Sequence, residues 1–72
     1  MDPTPLYQQL ANILRSRITG GEWAKGEPLP SGSYLQQEHG VSRVTVRKAV
    51  QVLRDEGLVI TIPQRGTYIA GR

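Results

Sequence analysis

The sequence predicts a mainly α fold with a small β-hairpin, in the order helix, helix, tight turn, helix, hairpin. Three observations carry that expectation. Apolar residues recur at helical spacing from Leu6 onward, two serines flank Gly40 as caps of adjoining helices, and after Gly57 the apolar period changes to two.

Leu6, Leu10, Ile13, Leu14 and Ile18 fall three and four residues apart, the spacing of an amphipathic helix. Pro5 suits its first turn and Gly20-Gly21 stops it. From Glu22 to Pro30 the chain carries Gly26, Pro28 and Pro30 around Trp23 and Leu29, so it reads as an ordered connector pinned to the core by those two side chains. Ser31 can cap a short second helix that Gly40 ends, and Ser42 caps the next after a very tight turn. Helix 3 is expected from about Arg43 to Glu56, burying Val46, Ala49, Val50 and Leu53, with Val44, Arg47, Lys48 and Gln51 on the opposite face. Gly57 terminates it. Leu58, Ile60 and Ile62 then alternate against Val59 and Thr61, and Thr67, Tyr68 and Ile69 follow the Pro63-Gln64-Arg65-Gly66 break, giving a hairpin with a basic tip.

A chain of 72 residues has room for one small core, and 38% hydrophobic with 21% charged residues is globular in character. With no cysteine, neither a disulfide framework nor a thiolate metal site is available, which points to a reducing, cytoplasmic setting. No apolar run reaches the length of a membrane span. The enzyme class fails on inventory, since one histidine and no paired carboxylates beside a base leave no nucleophile with an activator. No cofactor and no metal are expected.

Nine Lys and Arg against six Asp and Glu give a net charge of +3, which permits a polyanionic partner without requiring one. Placement says more. Arg43, Arg47 and Lys48 lie within six residues that hold no acid, and Arg65 lies in the hairpin break. Two helices joined by a short Gly-containing turn make a helix-turn-helix, whose second helix enters the major groove of DNA with its N-terminal residues toward the base edges. The buried stripe of helix 3 turns Arg43, Val44, Arg47 and Lys48 outward. Arg43 and Arg47, one turn apart, can each offer the two-pronged donor that matches guanine O6 and N7, and Val44 suits a thymine methyl. Ser42, Thr45 and the backbone N–H groups at the helix start suit a phosphate. Arg65 beside Gly66 suits a minor-groove or phosphate contact. Arg54 projects in nearly the direction of Arg47 but about 10 Å further along the axis, beyond the roughly 8.5 Å depth of a major groove, so it is expected to stay outside the bases.

The strings Leu29-Pro30-Ser31, Gly40-Val41-Ser42-Arg43-Val44-Thr45-Val46-Arg47, Glu56-Gly57-Leu58 and Arg65-Gly66-Thr67-Tyr68 resemble the N-terminal domain of the GntR repressor family, with Leu35 and Leu53 in step. The Pro5-Leu6-Tyr7 opening is most similar to the HutC-like and YtrA-like branches. The resemblance spans about Pro5 to Ala70 and implies a winged helix-turn-helix of three helices plus a wing, binding double-stranded operator DNA as a bacterial transcriptional repressor. It implies contacts at Ser42, Arg43, Thr45 and Arg47 and at the wing tip around Arg65 and Gly66. The full candidate set is Ser31, Ser33, Ser42, Arg43, Val44, Thr45, Arg47, Lys48, Gln64, Arg65 and Gly66. The family further implies a homodimer on an inverted repeat, and a metabolite effector bound only by a C-terminal domain that is not part of this chain. Residues 1–72 are then a single DNA-binding domain. Two positions depart from the family's pattern: Gly32 and Ser33 stand where Glu and Arg are common, and Gln64 replaces a frequent wing glycine.

Other residues have plainer readings. Arg54, Asp55 and Glu56 look like surface charges in the last turn of helix 3. His39 has no partner ligand in view, and a cation in the last turn of helix 2 is favoured by the helix dipole. Trp23 and Tyr68 sit in apolar contexts that favour packing over base stacking, whereas Tyr7 and Tyr34 are open to either.

Overall fold

The computed structural model describes residues 4–70, so the outermost residues of the expected 1–72 unit lie outside the described residues. Its elements are α1 (Leu6–Thr19), α2 (Gly32–His39), α3 (Arg43–Asp55), β1 (Val59–Ile62) and β2 (Gly66–Ile69). The three helices plus hairpin are those the sequence predicts.

Each helix start has a local cause. The Pro5 carbonyl, just ahead of α1, accepts from the N–H groups of Gln8 and Gln9, both at 3.0 Å. The Ser31 hydroxyl accepts from Tyr34 N–H and the Ser42 hydroxyl from Thr45 N–H, each at 3.1 Å, so both serines satisfy an otherwise orphaned donor. Between α2 and α3 the chain must reverse within a few residues. Gly40 does this with φ 64°, a left-handed conformation that costs other L-residues about 1–2 kcal/mol.

The core is formed by Leu10, Ala11, Leu14 and Ile18 of α1, Leu29 of the connector, Leu35 of α2, Val46, Ala49 and Leu53 of α3, and Leu58, Val59 and Ile69 of the hairpin. Each fully buried Leu contributes roughly 1.5–3 kcal/mol relative to exposure. The buried strip of α1 is narrower than its apolar pattern: Leu6 and Ile13 are 61% and 47% exposed, while Ala11 lies inside. Val50 is only partly buried.

The hairpin is antiparallel, pairing Val59 with Ile69, Ile60 with Tyr68, Thr61 with Thr67 and Ile62 with Gly66. Its burial does not follow the expected alternation. Leu58 and Val59 are both buried, because the chain leaves α3 directly into the core, while Ile60 and Ile62 face outward. The connector also has a role that side-chain spacing did not suggest. Leu29 N–H donates to Thr67 O, Ile69 N–H to Glu27 O and Gly26 N–H to Ile69 O, all at 2.9 Å, and Pro28 bridges Tyr68. The connector thus lies along the outer edge of β2, where Pro28 loses no ladder bond by lacking an N–H. Both edges of β2 are occupied, and the hairpin is held at a fixed place beside α3.

Candidate nucleic-acid interface

Val46, Ala49 and Leu53 anchor one side of α3 in the core, which fixes the direction of the other. Arg43, Arg47 and Arg54 line one wall of a concavity of about 560 Å³. Arg65, Gly66, Thr61 and Thr67 of the hairpin line the facing wall, and Ser31 and Gly32 stand at one end. No Asp or Glu lines this space.

The charge distribution around it is asymmetric. On the α1 side arginines are neutralised: Arg15 forms a two-pronged contact with Glu56, at 2.7 and 2.6 Å, and Arg17 does the same with Glu22, at 2.9 and 2.5 Å. Arg17 also reaches Glu38 at 3.4 Å and lies 4.8 Å from the Trp23 ring centroid. The hydrogen bonds from Arg17 and Arg15 hold the Glu22 and Glu56 carboxyls below the usual carboxylate range, and both guanidinium pKa values rise in return. In contrast, no carboxylate pairs with Arg43, Arg47, Arg54 or Arg65 among the described residues. A concave surface lined by one sign of charge concentrates field and attracts polyanions.

The sequence-predicted residues fall into three groups. Arg43, Arg47, Arg65, Gly66 and Ser31 share the concavity. Ser42 and Thr45 stand at the start of α3, where the Ser42 hydroxyl also donates to Thr45 Oγ1 at 3.0 Å, leaving the Thr45 hydroxyl hydrogen free to reach outward. Val44, Lys48, Ser33 and Gln64 lie apart from the concavity. Val44 is 52% exposed, and Lys48 leans toward α1, its Nζ 5.7 Å from the Tyr7 ring centroid. Ser33 is exposed on the first turn of α2. Gln64 occupies the hairpin turn with φ 64°, where Arg65 N–H donates to Ile62 O at 3.0 Å. Proline at the second turn position and a positive φ at the third describe a type II turn.

The end of α3 adds two contacts that the sequence did not show. Glu56, just past α3, is a surface charge as expected and pairs with Arg15. Arg54 donates from Nη1 to Thr61 Oγ1 at 2.7 Å and from Nη2 to Gln51 Oε1, which brings it into the concavity. Sequence spacing does place Arg54 in line with Arg47; that the hairpin folds up to meet it was not visible. Three of the aromatic residues make contacts within the domain. Trp23 packs on the core beneath Arg17, Tyr7 sits beneath Lys48, and Tyr68 donates its hydroxyl to Arg65 O at 3.2 Å. Tyr34 is 53% exposed. His39 Nε2 lies 3.4 Å from Glu38 Oε1, and no group of metal-ligating side chains forms among the described residues.

Known proteins are similar to this chain in sequence and in fold. The mannosyl-D-glycerate transport/metabolism system repressor MngR of Escherichia coli strain K12 is 45% identical over 69 residues, covering 96% of this chain and 29% of MngR. The HTH-type transcriptional repressor NagR of Bacillus subtilis strain 168 is 38% identical over 68 residues, covering 94% of this chain and 28% of NagR. The chain therefore spans less than a third of the length of these relatives. The crystal structure of AraR(DBD) in complex with operator ORR3 superimposes with a TM-score of 0.90 at 33% identity, covering 96% of this chain and 83% of that one. Residues 6–69 match the family described as bacterial regulatory proteins, gntR family. With a winged helix-turn-helix fold and a family match across nearly all its length, the chain belongs to the gntR family of bacterial regulatory proteins.

Proposed function

We propose that this chain is the operator-reading domain of a cytoplasmic bacterial transcriptional repressor, binding double-stranded DNA sequence-specifically and catalysing nothing. The observation that carries the proposal is the convergence of Arg43, Arg47, Arg54 and Arg65 on one concave face with no carboxylate partner, while Arg15 and Arg17 are neutralised elsewhere. Family membership, the repressor names of the relatives and the operator-bound AraR domain support it.

In this reading the start of α3 enters the major groove. Arg43 and Arg47 take guanine edges, Val44 a thymine methyl, and Ser42, Thr45 and the first N–H groups of α3 a phosphate. Lys48 and Ser31 add outer contacts, and Ser33 supplies at most a hydroxyl where the family commonly has arginine. The wing tip, Gln64, Arg65 and Gly66, meets the backbone or the adjacent minor groove. Two copies of the domain would pair on an inverted repeat, with any effector bound by a C-terminal domain outside residues 1–72, in the manner of the HutC-like or YtrA-like branches.

The test is selection of bound sequences from random duplexes, followed by anisotropy titrations at several salt concentrations. A consensus half-site bound with a steep salt dependence is expected. Enrichment of no sequence, with binding insensitive to salt, would favour a winged helix used for protein contact.

A further inference from the structure

We propose that Arg54, Thr61 and Thr67 form a seat for one backbone phosphate of the bound duplex, a site separate from the base-reading residues at the start of α3. The proposal rests on the DNA-binding reading above. A duplex that places its major groove on Arg43 and Arg47 and an adjacent surface on the wing tip must carry the intervening sugar-phosphate strand across the space between α3 and the hairpin. Arg54, Thr61 and Thr67 line that space.

The chemistry there fits a phosphodiester. The Arg54 guanidinium is held by neutral acceptors alone, Thr61 Oγ1 at 2.7 Å and Gln51 Oε1. These orient the planar fork without cancelling its charge, and of its five N–H donors they use only two. Asp55, the acid next to it in sequence, is engaged by Gln51 Nε2 at 2.8 Å. Thr61 Oγ1 lies 3.1 Å from Thr67 Oγ1, so one hydroxyl hydrogen of the pair satisfies the other oxygen and the second is free to point into the groove. A preoriented guanidinium beside a free hydroxyl donor matches the two unesterified oxygens of a phosphodiester. The distance along α3 from Arg47, about 10 Å by the helical rise, takes Arg54 out of reach of the bases and leaves it at the depth of the backbone.

The experiment measures affinity against salt for the parent chain, Arg54→Gln and Arg54→Lys, on a mixed-sequence duplex and on a duplex carrying the selected half-site. Losing one phosphate contact lowers the salt slope by about 0.9, so the parent-to-Gln affinity ratio should be about 3.5-fold larger at about 50 mM than at about 200 mM salt. The same change is expected on both duplexes, and Arg54→Lys should keep the parent slope. Thr61→Val, which leaves the charge and removes an orienting acceptor, should weaken binding several-fold with the slope intact; thermal melts establish that each variant is folded. An Arg54→Gln slope equal to the parent's overturns the seat and leaves Arg54 as a tie between α3 and hairpin. A loss confined to the selected duplex overturns it in favour of base reading. A parent chain with no salt-dependent binding overturns the DNA reading itself.

Discussion

Arg47 and Arg15 have the same side chain and opposite electrostatic circumstances. Arg15 is paired with Glu56 on the α1 side, whereas Arg47 faces an acid-free groove, and that contrast is the ground for proposing Arg47 as a DNA contact. Replacing it with alanine should cost roughly 1–3 kcal/mol of binding and relax preference at one base pair, since a two-pronged guanine contact is worth that much. Titrating Arg47→Ala against the selected site and its single-base-pair variants checks this. A loss equal on all sequences would make Arg47 a phosphate contact. Gln64 makes a second residue-scale case. Its φ of 64° is imposed by the type II turn, which tolerates glycine best at that position. Gln64→Gly removes strain of about 1–2 kcal/mol and returns roughly half of it as unfolded-state entropy, for a net gain of up to about 1 kcal/mol. A rise in melting temperature is expected; a fall would mean that the glutamine side chain stabilises the turn by more than its backbone strains it.

Between elements, the exposed Arg15–Glu56 pair joins α1 to the C-terminal end of α3 across 41 residues of sequence, beside the core contacts that hold the two helices together. Because hydrogen bonding to Arg15 depresses the Glu56 carboxyl in the folded state, its stabilisation is complete above the ordinary carboxylate pKa and is lost as pH falls through the depressed folded value. Arg17 and Glu22 behave alike. Glu56→Gln should therefore lower the melting temperature at pH 7, and the gap from the parent should narrow as pH falls past the ordinary carboxylate pKa and close only below the depressed folded value of Glu56, where both chains lack the charge. A gap independent of pH would assign the effect to packing. The sequence made the elements legible where their causes are local, in the Ser31 and Ser42 caps, the Gly40 turn and the periodicity of α3. It was silent where placement is tertiary. The exposure of Ile60 and Ile62, the pairing of the connector along β2 and the swing of Thr61 up to Arg54 all depend on how the hairpin lands against α3, and no spacing within one segment encodes that. The candidate site was legible to the same extent: motif and charge single out Arg43, Arg47 and Arg65, which the fold places around one concavity, whereas the contact of Arg54 with the hairpin emerges only from the fold.

At the scale of the molecule, the candidate interface is one concave face on one small domain, and a single module of this kind buries roughly 600–1,000 Å² against DNA, below the roughly 1,000–2,500 Å² of larger specific interfaces. A second copy changes this without any new contact to the bases. Joined by a short flexible tether, the second domain meets its half-site at a millimolar effective concentration, so overall affinity can exceed that of one domain by about 10²–10⁴. Geometry adds a condition, because two domains related by a twofold axis present α3 to half-sites of opposite direction, and a flexible tether tolerates but does not create that symmetry. The expectation is that the isolated chain binds a half-site weakly as a monomer, and that fusion to a parallel dimeriser tightens binding to an inverted repeat of that half-site. The gain on a direct repeat of the same spacing should be smaller. Sedimentation fixes the oligomeric state of each protein, and anisotropy titrations on inverted, direct and single sites read the affinities. Tight binding by the proven monomer, or equal gains on inverted and direct repeats, would remove twofold symmetry from the account of how this domain finds its operator.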